Sequence, residues 1–167
     1  MLAYLPGIAF FAGVIALVLT LMWLGWRRRR RVSAEIRVPL GQARGETTAV
    51  FDGLYVATTR HDAPLDRLAP PHLAFRSRVT VTVTTSGVAL DMPGTPSLFL
   101  DADRIEGAGR ATWTIDRVVE RDGLVLVAWR GDDDTICDSY IRLQTDSPDA
   151  LVRAIDDLSA QHTGAEQ

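Results

Sequence analysis

The first 31 residues constrain this chain more than any other part of it. Residues 1–26 contain no charged side chain, and five arginines follow directly. The apolar run exceeds the ~20 residues that a helix needs to cross a hydrocarbon core of about 30 Å. In lipid, a lone segment satisfies its backbone hydrogen bonds only as a helix. We therefore expect a transmembrane helix and an arginine stop-transfer segment over residues 1–31.

The residues at the ends of this run predict its orientation. Tyrosine and tryptophan favour membrane interfaces, and arginine-rich flanks stay on the cytoplasmic side. The expected topology is therefore single-pass in the inner cell membrane, with the N-terminus outside and the C-terminal domain in the cytoplasm. The residues predicted to set this topology, and to meet the bilayer and its headgroups, are Trp23, Trp26, Arg27, Arg28, Arg29, Arg30 and Arg31.

A cleaved signal peptide is the alternative interpretation of this segment. A signal peptide has a basic region before a shorter apolar stretch and a cleavage site with small residues after it. Here nothing basic precedes the apolar run, and the arginines occupy the position of the cleavage site. The pattern favours a retained anchor.

The rest of the chain is acidic. All 18 basic residues are arginine, and the 13 that follow the arginine run stand against 21 acidic residues, a formal charge of −8. Binding nucleic acid requires a basic surface, so we predict no nucleic-acid partner. A single cysteine, Cys137, allows no intramolecular disulfide and fits a reducing compartment.

Alternating residues predict a mainly β domain after a linker over residues 32–46. The clearest strand is 78–85, RVTVTVTT, in which the valines face one way and the threonines the other. Asp52-Gly53 is expected to bend or bulge the first strand, and Asp122-Gly123 to form a hairpin turn. About seven antiparallel strands are predicted, at 47–59, 78–85, 88–91, 97–100, 111–119, 124–130 and 135–143.

The C-terminal region reads as an amphipathic helix. Ser147 is expected in the N-terminal cap, with Pro148 in the first turn. The apolar face that follows consists of Leu151, Val152, Ile155 and Leu158. The domain is therefore predicted to span residues 47–160, with a flexible tail at 161–167.

Four segments carry a resemblance to a known family. They are FDGLYVATT (51–59), PLDRLAPPHLAFRSR (64–78), TPSLFLDADRI (95–105) and GLVLVAWRGDDD (123–134). In them the chain resembles small actinobacterial single-pass membrane proteins that carry a bacterial PH-like domain. The resemblance implies a PH-like β-barrel or sandwich with a C-terminal amphipathic helix. In such domains the loop after the first strand often contacts a phosphoinositide or a protein.

No catalytic or metal-binding constellation is evident in the sequence. Adjacent residues such as His61 and Asp62 point opposite ways in extended chain, and no nucleophile is identifiable near them. Cys137 has the parity of a core residue. The acidic residues 132–134 are expected to form a solvated hairpin turn, because an EF-hand loop starting there would place Leu143 where glutamate is needed. We predict no enzymatic activity, no cofactor and no metal.

The proline-rich connection over residues 60–75 is the predicted partner or ligand loop, since loops of this length are usually functional. Its apolar residues Leu65, Leu68, Leu73 and Phe75 would alternatively pack it against the barrel. We predict a non-enzymatic adaptor that binds a membrane protein; the alternative is binding or processing of a membrane-derived lipid or small molecule inside the barrel. The candidate residues are Arg60, His61, Arg67, His72, Arg76 and Arg78.

Overall fold

The computed structural model describes residues 5–35, 38–68, 72–73, 75–111, 123–132 and 134–165. Within the helices it leaves the side chains of residues 5–10, 26, 28–35 and 163–165 undescribed. The chain forms two compact units, Met1–Glu35 and Ile36–Gln167.

The first unit is a single helix, α1 (Leu5–Glu35). It continues past the predicted boundary at Arg31, so the first part of the predicted linker is helical. Its large apolar side chains from Phe11 to Leu24 are exposed, with Phe11 67% accessible. Among the residues that the structure describes, no helix reaches the length and hydropathy required of a membrane span.

In the described residues of the second unit, eight strands pair antiparallel and form a mainly β domain. The sheet order is β5-β4-β3-β1-β8-β7-β6, and β2 pairs only with β1. A single 3₁₀ turn, Ala102–Arg104, separates β5 from β6. The elements are β1 (Thr47–Arg60), β2 (Ala63–Leu68), β3 (Ser77–Thr84), β4 (Gly87–Asp91), β5 (Leu98–Asp101), β6 (Ile105–Ala111), β7 (Leu124–Arg130), β8 (Ile136–Leu143) and α2 (Pro148–Ala165).

The strands β3, β4, β5, β7 and β8 confirm the corresponding sequence predictions to within one or two residues. Two strands, β2 and β6, were not predicted. β2 contains a proline and β6 contains two glycines, so neither has the β-branched alternation that marks a strand. The strand predicted at 111–119 and the turn at Asp122 lie outside the described residues, apart from Ala111.

The predicted bend at Asp52-Gly53 is wrong. β1 runs without interruption through Gly53, which pairs with Val79 of β3 and Leu143 of β8. The three register shifts of β1 lie elsewhere, between Thr47 and Ala49, between Tyr55 and Ala57, and between Thr59 and Arg60. A Cβ atom on Gly53 would come within 2.7 Å of the Arg142 carbonyl oxygen. The glycine therefore serves the close approach of β8 and not a bend in the strand.

The core lies between one face of the sheet and α2. The predicted valine stripe of β3 is confirmed, since Val79, Val81 and Val83 are buried. On α2, Leu151 and Ile155 are fully buried, and burying such a side chain contributes about 1.5–3 kcal/mol. The helix begins as predicted: the Asp149 N–H donates to Ser147 Oγ at 3.3 Å. It continues to Ala165, beyond the predicted boundary at residue 160.

The second part of the predicted linker belongs to the domain. The Phe99 N–H donates to the Pro39 carbonyl, and the Gly41 N–H donates to the Ser97 carbonyl. Leu40 thereby bridges to Leu98 and covers the outer edge of β5. Covering an edge in this way satisfies backbone groups that would otherwise pair with another chain.

Candidate functional site

The predicted loop over residues 60–75 is in large part a β-hairpin, which corrects the sequence interpretation. Arg60 of β1 pairs with Ala63 of β2, so His61 and Asp62 form a two-residue turn. Asp62 has φ 56°, a left-handed conformation that aspartate tolerates better than most residues. The turn therefore needs no glycine, and the sequence shows no standard hairpin signal here.

The hairpin carries a wide bulge. Thr59 pairs with Arg67 and Arg60 pairs with Ala63, so residues 64–66 have no counterpart on β1. Bulges re-aim side chains, and Leu65, in the middle of this one, is 83% exposed. The Arg60 Nε to Asp66 Oδ2 ion pair, 3.3 Å long, closes the base of the bulge.

The segment between β2 and β3 is anchored at one end and exposed at the other. Leu68 and Leu73 are buried, as the packing alternative predicted. The Tyr55 hydroxyl donates to the Leu73 carbonyl at 3.0 Å. Phe75, however, is 82% exposed. We call residues 61–76, between β1 and β3, the excursion. Two of its apolar residues, Leu68 and Leu73, are buried anchors, and the other two, Leu65 and Phe75, are exposed to solvent.

A buried chain of hydrogen bonds supports this excursion from below. The Tyr55 hydroxyl gives its single hydrogen to the Leu73 carbonyl. In the 2.8 Å contact between Tyr55 and Thr58, the Thr58 hydroxyl is therefore the donor. The Ser139 hydroxyl then donates to Thr58 at 2.8 Å, and the indole N–H of Trp129 donates to Ser139 at 2.9 Å. Each hydroxyl thus both donates and accepts once. Burial raises the pKa of the Tyr55 phenol, which keeps it a donor.

His61 is held by a carboxylate that the sequence did not indicate. Its Nδ1 lies 2.8 Å from Oδ1 of Asp138 on β8, whereas its Nε2 lies 3.6 Å from Asp62. The Asp138 side chain is only 5% exposed and that of His61 42%. The hydrogen bond to Asp138 raises the pKa of His61, and burial opposes this effect. This pair fastens the turn of the hairpin to β8.

The structure places the six candidate residues in three parts of the chain: the hairpin, the segment between β2 and β3, and the start of β3. Those on the hairpin are Arg60, His61 and Arg67; His72 is exposed, with φ 73°. Arg76 and Arg78 lie at the start of β3, on the exposed side. Neither of the two described pockets brings the six residues together. Arg78 lines an open groove of about 540 Å³ together with Asp52, Thr80, Asp91, Pro93 and Gln144.

Sequence reasoning missed Leu54 and Arg142, which lie beside Arg78. Leu54 of β1 pairs with Arg78 on one side and with Arg142 of β8 on the other. All three side chains are exposed on the outer face of the sheet. Only the pairing of three strands distant in sequence brings them together, so no local signal predicts this row.

Of the predicted topology residues, two have described side chains. The Arg27 guanidinium lies over the Trp23 ring, 5.1 Å from its centroid. This cation–π contact joins a typical interfacial residue to the start of the arginine run. The side chains of Trp26, Arg28, Arg29, Arg30 and Arg31 lie outside the described part.

The acidic hairpin turn after β7 has a structural role. Asp132 pairs with Arg104 at 2.6 Å, and Asp134 adopts φ 60°. Asp133 lies outside the described residues. The ion pair ties this turn to the 3₁₀ turn between β5 and β6.

An antiparallel sheet whose core is covered by a C-terminal helix is the architecture of a PH-like domain, a class of interaction module. The model of the family described as "Bacterial PH domain-like" matches residues 34–156. The chain belongs to this family.

The chain was also compared with solved structures and with curated proteins. A chain of the solved structure "The 8S snRNP Assembly Intermediate" matches at 8% sequence identity and a TM-score of 0.49. The match covers 75% of this chain and 91% of that chain. No curated protein matches this chain.

Proposed function

We propose that this protein is a non-enzymatic adaptor, held at the inner cell membrane by α1, whose PH-like domain binds a membrane protein in the cytoplasm. The observation that carries the proposal is the exposure of Leu65 and Phe75 on the excursion between β1 and β3. At 83% and 82%, they far exceed the other exposed large apolar residues in the described part of the domain, which are Leu40 54%, Val50 55% and Leu54 37%.

The position of these side chains supports binding over chance exposure. Each lies within a few residues of a buried anchor, Leu68 or Leu73. We take the buried anchors to limit the conformational freedom that the two side chains lose on binding, which would favour affinity. A contiguous exposed apolar patch marks an interaction site, and the proposal treats Leu65 and Phe75 as parts of one patch.

The membrane location rests on the sequence and on α1. The uncharged run of residues 1–26 ends at five arginines, which favours an N-terminus outside and the domain inside. The apolar side chains of α1 from Phe11 to Leu24 are exposed, so a lipid environment would cover them. Tethering would raise the effective concentration of the domain for partners in the same membrane.

The packing of the domain core favours a protein partner over a lipid or small molecule held inside the domain. Trp129 and Tyr55, two of its largest side chains, are fully buried, and their hydrogen bonds are made to neighbouring protein groups. The groove of about 540 Å³ opens on the outer surface and is lined by Arg78 but not by His61 or Arg76. A small-molecule carrier needs an enclosed site with convergent polar groups.

Recovery of crosslinked partners from native membranes tests the proposal. The full-length chain should recover a specific membrane protein, and Leu65→Ser combined with Phe75→Ser should reduce that recovery about tenfold, because two apolar anchors are removed. Leu40→Ser is the matched control, since Leu40 is exposed on another part of the domain. A chain lacking residues 1–31 should leave the membrane fraction.

Two outcomes would contradict the proposal. If the double variant and the wild type recover equal amounts of the membrane protein, the excursion is not the binding surface. Recovery of no protein by the wild type would reject the adaptor function itself.

A further inference from the structure

Three side chains form a row across the outer face of strands β3, β1 and β8. Arg78 and Arg142 pair with Leu54 from opposite sides, and all three are exposed. Neighbouring strands lie about 4.8 Å apart. The two arginines are therefore separated by about 10 Å, with an exposed leucine between them.

The lack of ion pairs between these two arginines and the described carboxylates is unusual in an acidic domain. Between residues 38 and 165, the guanidinium groups of Arg78 and Arg142 have no ion pair with a described residue. Several other described arginines hold a carboxylate, and a further one, Arg153, donates to a backbone carbonyl. The arginines paired with a carboxylate are Arg44, Arg60, Arg104, Arg110 and Arg130.

The carboxylates nearest to the row are engaged elsewhere. Asp52 lies on the next outward position of β1 and accepts the Thr80 hydroxyl at 2.8 Å. Asp91, across the groove, accepts the Ser97 hydroxyl. Two like charges that flank an apolar side chain with no anion between them repel each other. An anionic ligand would remove that repulsion.

We propose that Arg78 and Arg142 bind the carboxylates of an acidic segment of the protein partner, with an apolar residue of that segment against Leu54. This inference rests on the proposed function and gives the partner its chemistry. Arginine binds carboxylate through two parallel hydrogen bonds, so the pair selects acidic residues. Phe75 of the apolar excursion precedes Arg78 by three residues in the chain.

A protein segment fits this row better than an anionic bilayer. The row is about 10 Å wide, which suits one or two carboxylates. Asp52 and Asp91 line the adjoining groove and would oppose a broad sheet of anionic headgroups. The formal charge of −8 over the chain beyond the arginine run acts in the same direction.

Selection from a phage-displayed library of random peptides tests the inference. The target is the full-length chain in phosphatidylcholine nanodiscs, as wild type and as Arg78→Gln with Arg142→Gln. Peptides selected on the wild type should be enriched in Asp or Glu beside an apolar residue. They should bind the double variant at least about tenfold more weakly.

The control variant combines Arg44→Gln with Arg153→Gln, which removes the same charge from other exposed positions. It should bind the selected peptides like the wild type. No acidic enrichment, or equal binding by the Arg78/Arg142 variant, would overturn the inference.

Vesicle flotation separates a lipid ligand from a peptide ligand. We expect that Arg78 and Arg142 do not make the chain float with vesicles of phosphatidylcholine that contain about one third phosphatidylglycerol. Retention by the wild type that the Arg78/Arg142 variant loses would assign the pair to lipid and overturn the inference. None of these measurements uses the native partner, so their failure leaves the membrane-recovery test of the proposed function unaffected.

Discussion

At the scale of single residues, Ser139 holds the centre of the domain together. It accepts from Trp129 of β7 and donates to Thr58 of β1, and through Tyr55 the same chain of hydrogen bonds reaches Leu73. All these groups are buried, where an unpaired donor costs much more than in water. One hydroxyl thus couples the middle of the sheet to the base of the excursion.

Removing this hydroxyl should destabilise the domain. Ser139→Ala leaves the Trp129 indole N–H without its acceptor, and we expect the free energy of unfolding to fall by about 1–3 kcal/mol. Urea unfolding of the full-length chain in detergent, followed by tryptophan fluorescence, measures the loss. Ser86→Ala makes the same change in an exposed turn and should alter the free energy by less than about 0.5 kcal/mol. Equal effects of the two changes would contradict the assigned network.

The contact of His61 with Asp138 should make the stability depend on pH. The pKa of His61 is raised in the folded protein, so this contact contributes fully below the unfolded pKa of about 6.5 and is lost as pH rises through the folded pKa. The change should stay below about 1 kcal/mol because the imidazole is partly exposed.

NMR titration of the imidazole tests this contact directly. Asp138→Asn should return the pKa of His61 towards about 6.5, and His61→Gln should remove this part of the pH dependence of unfolding. A wild-type His61 that titrates at or below its ordinary pKa would contradict the assignment.

At the scale of elements, local pattern predicted the strands that alternate apolar with polar residues and those that are short apolar runs. β3 alternates valine with threonine, and the structure buries the valines and leaves Thr80 and Thr82 half-buried. β2 and β6 lack such alternation, because β2 is largely exposed and β6 contains Gly107 and Gly109. Long-range pairing to β1 and β7 makes them strands, and a local pattern contains no information on that pairing.

The same limit applies to the site. The sequence indicated residues 60–75 through their length and composition, and it indicated Arg76 and Arg78. It gave no indication of Arg142, Leu54 or Asp138, since each joins the surface only through cross-strand pairing. The sequence also did not predict which side chains are exposed to solvent. Leu65 and Leu68 are the same residue type but are 83% and 2% accessible. The bulge in the hairpin decides which of them faces water.

At the scale of the whole molecule, the chain combines a helical N-terminal unit with a Bacterial PH domain-like unit. We propose that the first anchors the chain in the membrane and that the second binds the partner. When anchoring and binding lie in different units, the domain need not bind its partner tightly, because confinement to one membrane supplies part of the association free energy.

Site-specific photocrosslinking in cells tests this account most directly. The full-length chain carries benzoylphenylalanine in place of Leu65, Phe75 or Leu40. The account predicts that positions 65 and 75 crosslink to one and the same membrane protein and that position 40, exposed on another part of the domain, does not. Identical products from all three positions, or no crosslinked protein from positions 65 and 75, would contradict it.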